Sequence, residues 1–132
     1  MRIFKTKTFA RWMRKEGLKD ARLLNAIREM EDGQFDANLG GNVYKKRIAL
    51  PGRGKKGSVR TLIAFHSGDR AFFIFGFAKN ERANIDVLEL RALKLMAKTL
   101  LEKSNTKLKK DLEASVIVEV QNDGWQNSQR TA

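Results

Sequence analysis

AFFIFGFA, residues 71 to 78, is an eight-residue run without a charged or hydroxyl side chain. It is short for a helix and the right length for a strand, so it predicts a central strand buried on both faces. Such a strand needs neighbours, and the preceding sequence supplies them. Val43 to Leu50 (VYKKRIAL) alternates: Tyr44 and Ile48 face a core with Lys46 between them, while Val43, Lys45, Arg47 and Ala49 point the other way. Val59 to His66 (VRTLIAFH) is rich in β-branched and apolar residues, and Ser67-Gly68-Asp69 makes a compact turn into the apolar run. Three successive strands joined this way predict an antiparallel meander.

The rest of the chain reads mainly as helix. RIFK at Arg2 to Lys5 is a short first strand; Thr6 or Thr8 then caps a helix carrying Phe9, Trp12 and Met13, which Gly17 stops. A second helix starts at Asp20, shows Leu23, Leu24, Ile27 and Met30 at helical spacing, and ends at Gly33, predicting an antiparallel helix pair. Leu39-Gly40-Gly41-Asn42 is a turn. After the meander, Asn84 or Asp86 caps a long helix with Ile85, Leu88, Ala92, Leu95, Met96 and Leu100 as its packing stripe. Ser104 to Ala114 reads as a shorter polar helix, Ser115 to Val120 as an edge strand or a segment that simply packs, and the last dozen residues as a polar tail. The expected fold is α+β, with two N-terminal helices and a C-terminal helix covering one face of a curved, mainly antiparallel sheet.

Charge narrows the function. The 132 residues carry 27 Lys+Arg against 15 Asp+Glu, a net charge of +12, which points to a polyanionic partner. No acid falls between Ala37 and Gly68, while Lys45, Lys46, Arg47, Arg53, Lys55, Lys56 and Arg60 all do. The chain has no cysteine and one histidine, His66, so a thiol nucleophile, a protease triad and a zinc site lack their residues. No cofactor is expected. The absence of an apolar leader and of a long apolar run points to a cytoplasmic chain with no membrane partner.

The basic residues cluster around PGRGKKGSVR, Pro51 to Arg60. It is not a nucleotide P-loop, because its glycine–lysine step is followed by lysine and the segment leads into a strand. Glycines 52, 54 and 57 let the backbone approach a phosphate while Arg53, Lys55 and Lys56 fan out. Arg60 lies on the following strand, fixed by sheet geometry. In a meander the start of one strand lies beside the end of the next, which brings Lys79 to Arg60, and Lys45 and Arg47 point to the same concave face. Phe77, two residues before Lys79, flanks this patch as a candidate base-stacking ring. His66 sits at the far strand end, and Trp12 reads as the seam between the first helix and the sheet.

Leu39 to Phe65 (LGGNVYKKRIALPGRGKKGSVRTLIAF), Phe73 to Ile85 (FIFGFAKNERANI) and the opening IFKTKTFARWMRKEGL together resemble the RelE/HigB group of bacterial type II toxins. The resemblance covers residues 1 to 105 as a RelE-like toxin domain, leaving 106 to 132 as an extension. It implies a ribosome-dependent endoribonuclease that cuts mRNA, contacts ribosomal RNA and is inhibited by an antitoxin encoded beside it, commonly of helix-turn-helix type. It further implies a toxin monomeric alone and hetero-oligomeric with that antitoxin. Arg60 matches the strand arginine that holds the scissile phosphate, Lys55 and Lys56 the loop cations, and Lys79 with Asn80 the basic position after the last strand. RNA brings its own 2′-OH nucleophile, so such a site must hold the phosphate, neutralise developing charge and move two protons. Lys55, Lys56 and Lys79 are the candidate proton carriers. A gyrase inhibitor on the same scaffold, or a basic nucleic-acid-binding module, is the alternative.

Overall fold

The computed structural model describes residues 1–50 and 57–120. Its elements in chain order are β1 (Arg2–Thr6), α1 (Lys7–Glu16), α2 (Asp20–Glu31), β2 (Ala37–Asn38), β3 (Val43–Ala49), β4 (Ser58–His66), β5 (Arg70–Ala78), α3 (Val87–Glu102), α4 (Asn105–Glu113) and β6 (Ile117–Glu119). Local chemistry sets the boundaries. Thr6 Oγ1 accepts the Phe9 N–H at 3.1 Å and starts α1, and Gly17 stops it with a left-handed φ of 77°. Asp86 opens α3 with a capping box: its carboxylate accepts the Glu89 N–H at 2.8 Å while the Glu89 side chain reaches back to the Asp86 N–H. The Asp86 carboxyl is held below its ordinary value, chiefly by that backbone hydrogen bond from Glu89.

The six strands form one sheet in the order β2-β3-β4-β5-β1-β6. β3, β4 and β5 are the expected antiparallel meander, and β5 is central, with β1 parallel to it on the other side. Phe4 of β1 stacks on Phe72 of β5 with ring centroids 4.9 Å apart, tying the parallel pair together.

The helices line both faces of the sheet, not one. Phe9, Met13, Leu23 and Ile27 of α1 and α2 share a core with Ile48, Val59, Ile63 and Phe73. Leu93, Ala97 and Leu100 of α3 and Leu108 of α4 share a second core with Phe4, Leu62, Phe72 and Ile74. The cause is in β5: Phe73 and Phe72 point to opposite sides, and both need cover.

The packing stripe of α3 also differs from expectation. Leu93, Ala97 and Leu100 face the sheet, whereas Leu88, Leu95 and Met96 are 74%, 65% and 41% exposed. Two apolar stripes with helical spacing compete on this helix, and the one containing Leu93, Ala97 and Leu100 packs on the sheet. The turn before β3 is built on positive φ at Gly40, Gly41 and Asn42. A Cβ on Gly41 would stand 3.3 Å from Cγ of Lys94, so α3 packs directly on this turn.

Beyond residue 105 the chain stays with the domain. Leu108 and Ile117 are buried, β6 pairs antiparallel with β1, and Val120 N–H donates to Ile3 O at 2.8 Å. Buried Arg70 donates to Lys103 O at 2.6 Å and to Asn105 Oδ1 at 2.8 Å, fastening the α3–α4 junction to the start of β5. No described helix is long and apolar enough to cross a membrane.

Candidate nucleic-acid interface

The register of the meander decides where the cations fall. Arg47 on β3, Arg60 on β4 and Phe77 on β5 are Cα partners in one row across three strands. Partners directly opposite in an antiparallel ladder project to the same face. The adjacent row, Lys45, Leu62 and Phe75, identifies it as the α3 side, since Leu62 and Phe75 belong to that core. Lys45, Arg47 and Arg60 are therefore neighbours on one surface.

Two arginines facing each other on neighbouring strands oppose pairing by up to about 1 kcal/mol. Among the described residues neither guanidinium forms an ion pair; the Asp36 carboxylate meets Arg47 only at its backbone N–H, whose hydrogen bond it accepts. Lys46, of opposite parity, contrasts with them: it is buried and its Nζ meets Glu29 of α2 at 2.9 Å. Arg60 is half-buried, and its Nη1 donates to Ser58 Oγ at 3.2 Å, which draws the guanidinium towards the end of β4 that follows residues 51–56.

The chain leaving β5 arrives at the same end. Ala78 is the Cα partner of Val59, so Lys79 follows immediately beside the start of β4. Lys79 and Asn80 are both exposed. Glu81 and Arg82 N–H donate to Ala78 O at 3.0 and 3.3 Å and turn the chain back. This lays the Arg82 guanidinium over Phe75 and Phe77, 5.5 and 5.8 Å from their ring centroids. Glu89 holds Arg82 through both terminal nitrogens, Nη2 to Oε2 at 2.8 Å.

Phe77 is thus a floor for Arg82. At 3% exposure its ring has no open face for a base. Arg82 is the cation that strand parity does not reveal, because it lies in a turn; its signal in the sequence is the spacing to Glu89 in the capping segment. Arg53, Lys55 and Lys56 lie outside the described residues, as does Trp125.

Two clefts of about 560 Å³ each open at this end of the meander, both bordered by residues of the α1–α2 core rather than of the α3 side. One is lined by Arg22, Asn25, Glu29 and Arg47, the other by Glu16, Gly57, Asn80 and Glu81, and Ser58 borders both. The single histidine and the single tyrosine of the chain lie elsewhere. His66 ends β4 at the opposite tip, its Nδ1 3.3 Å from Asp69 Oδ2. Tyr44 packs edge-on against Phe35 and Phe65, with centroids 4.9 and 5.6 Å away, and borders the α1–α2 core. Trp12 is the seam it was expected to be, lying against Gly76 of β5.

This cation row, the meander that builds it and the parallel β1–β5 pair run through the region in which the chain matches a known family. The model for the RelE toxin of the RelE/RelB toxin–antitoxin system matches residues 1–120. The chain belongs to the RelE toxin family. Comparison with curated proteins gave no match. As a RelE-family toxin, the chain has an antitoxin as its partner.

Proposed function

We propose that this RelE-family toxin is a ribosome-dependent endoribonuclease that cuts mRNA by attack of the 2′-OH on the scissile phosphate. The observation that carries the proposal is the row of Arg47 and Arg60, in register on neighbouring strands with no offsetting ion pair among the described residues. Repulsion of that kind is tolerated where an anion fills the site.

In the proposed mechanism the planar fork of Arg60 grips two phosphate oxygens and neutralises the charge that grows on them in the transition state. Arg47 and Lys45 hold the flanking phosphates, and Asn80 adds a neutral donor. Lys79, with Lys55 and Lys56 of the glycine loop, supplies the ammonium groups placed to pass protons to and from the reacting oxygens. The message is oriented by the ribosome, so the toxin needs little binding surface of its own. The antitoxin of this unit is proposed to be of helix-turn-helix type.

A second reading is favoured by one observation. His66 and Tyr44, the only residues of their kinds, both lie away from the cation row. A toxin without them at the site can act by binding alone, as a gyrase inhibitor does. Expression followed by primer extension on a translated message separates the two. The nuclease produces new 5′ ends that the Arg60→Ala variant, folded by circular dichroism, does not produce. Arrested cells with intact message and inhibited gyrase would reject the nuclease.

A further inference from the structure

α3 has a second apolar face that no other described residue covers. Leu88, Ala92, Leu95 and Thr99 recur at heptad spacing, with Met96 beside them, and Leu88 and Leu95 are 74% and 65% exposed. Leu93, Ala97 and Leu100 take the core on the opposite side of the helix. Leu88 and Leu95 stacked along one row, flanked by exposed Met96, mark a contact surface on a charged protein, and the spacing fits a helix laid along α3. One edge of the stripe is cationic. Arg91, Lys94 and Lys98 border a groove of about 480 Å³ between α3 and the Gly41-Asn42 turn, where Glu102 is the one carboxylate among the described residues.

We propose that the antitoxin docks here, laying an acidic amphipathic helix along the outer face of α3. Charge complementarity selects this occupant. A second copy of the chain would bring another +12 protein, and another row of Arg91, Lys94 and Lys98, against the first. An acidic helix meets the same rim with opposite charge and buries Leu88, Leu95 and Met96 under its own apolar face. RNA would use the cations and leave the leucines exposed. The inference rests on membership of the toxin family and not on RNA cleavage.

The test is titration of the purified toxin with the purified antitoxin encoded beside it, followed by calorimetry. Leu88→Asp combined with Leu95→Asp weakens binding by about 100-fold or more, because a charged group then stands at the centre of the interface. Arg91→Glu combined with Lys98→Glu weakens it by about 10-fold and flattens its salt dependence. Both pairs are exposed, and the charge-reversal pair leaves the apolar stripe untouched if the aspartate pair misfolds. Cells expressing either variant arrest as the parent does, and the antitoxin no longer rescues them.

Parental affinity in both folded variants overturns the proposal. So does self-association of the toxin that the aspartate pair abolishes, which gives the face to a second copy, or loss of ribosome binding with antitoxin affinity intact, which gives it to RNA. A parent chain that leaves message intact yet binds antitoxin through this face refutes the nuclease and leaves the docking site standing.

Discussion

Replacing Gly76 by alanine adds a single methyl group where Trp12 of α1 lies directly against β5. A Cβ built on Gly76 falls 2.2 Å from Cζ3 of Trp12 and 2.5 Å from Cε3 and Cη2. Carbon atoms settle at about 3.5–4.0 Å, so the indole must retreat by more than about 1 Å. It cannot do so freely. Phe9 stands against it with a centroid separation of 5.3 Å, and Phe9 is itself 5.3 Å from Phe73 of β5. Overpacking of this kind costs typically about 1–3 kcal/mol, and three contacts with a rigid ring put Gly76→Ala near about 3 kcal/mol. For a domain of this size that is a fall in Tm of about 10 °C. Urea unfolding followed by circular dichroism measures it. In a Trp12→Leu background the same substitution should cost much less, because the ring atoms it strikes are gone. An equal loss in both backgrounds would refute the steric account and move the cause to the backbone of β5.

Two further outcomes follow from the geometry of the cap and of the cation row. The Asp86 carboxyl is held below its ordinary value in the folded state, so its contribution to stability is complete above the ordinary carboxylate range and disappears as pH falls through the lowered value. Asp86→Asn keeps an N-cap acceptor without the titration, and urea midpoints measured from about pH 5 to pH 2 should lose that part of their pH dependence. His66→Ala should leave growth arrest and message cleavage at the parental level, since β4 carries His66 six positions from Arg60, about 20 Å along the strand; a loss of cleavage in the folded variant would place a proton carrier at the wrong end of this account.

Much of the fold is legible in local sequence. The alternation in Val43 to Leu50, the apolar run at 71 to 78 and the glycines at 17 and 33 fix strands and helix ends through backbone geometry alone. The shared face of Lys45 and Arg47 follows from the same period of two, whereas Arg60 joins them only through the β3–β4 register, which spacing alone does not fix. Other features depend on contacts distant along the chain. The parallel pairing of β1 with β5 and the addition of β6 to β1 join residues more than 60 positions apart, and no local pattern specifies them. β2 has only two residues, too few to show a period. The buried side of α3 is ambiguous because leucines and an alanine occupy both sides, and only the tertiary packing against the sheet resolves it. Phe77 illustrates a further limit: its register beside Arg60 is legible, but its covering by Arg82 depends on how the turn after β5 folds back.

The central claim is that Arg60 holds the phosphate at which RNA is cut, and single-turnover cleavage of a defined message on programmed ribosomes tests it most directly. Arg60→Ala should lower the rate by about 100- to 1,000-fold, the effect of removing one preorganised donor to a charged transition state, while Arg60→Lys recovers a part of it through charge without the fork. Parental cleavage by a folded Arg60→Ala variant would contradict the claim.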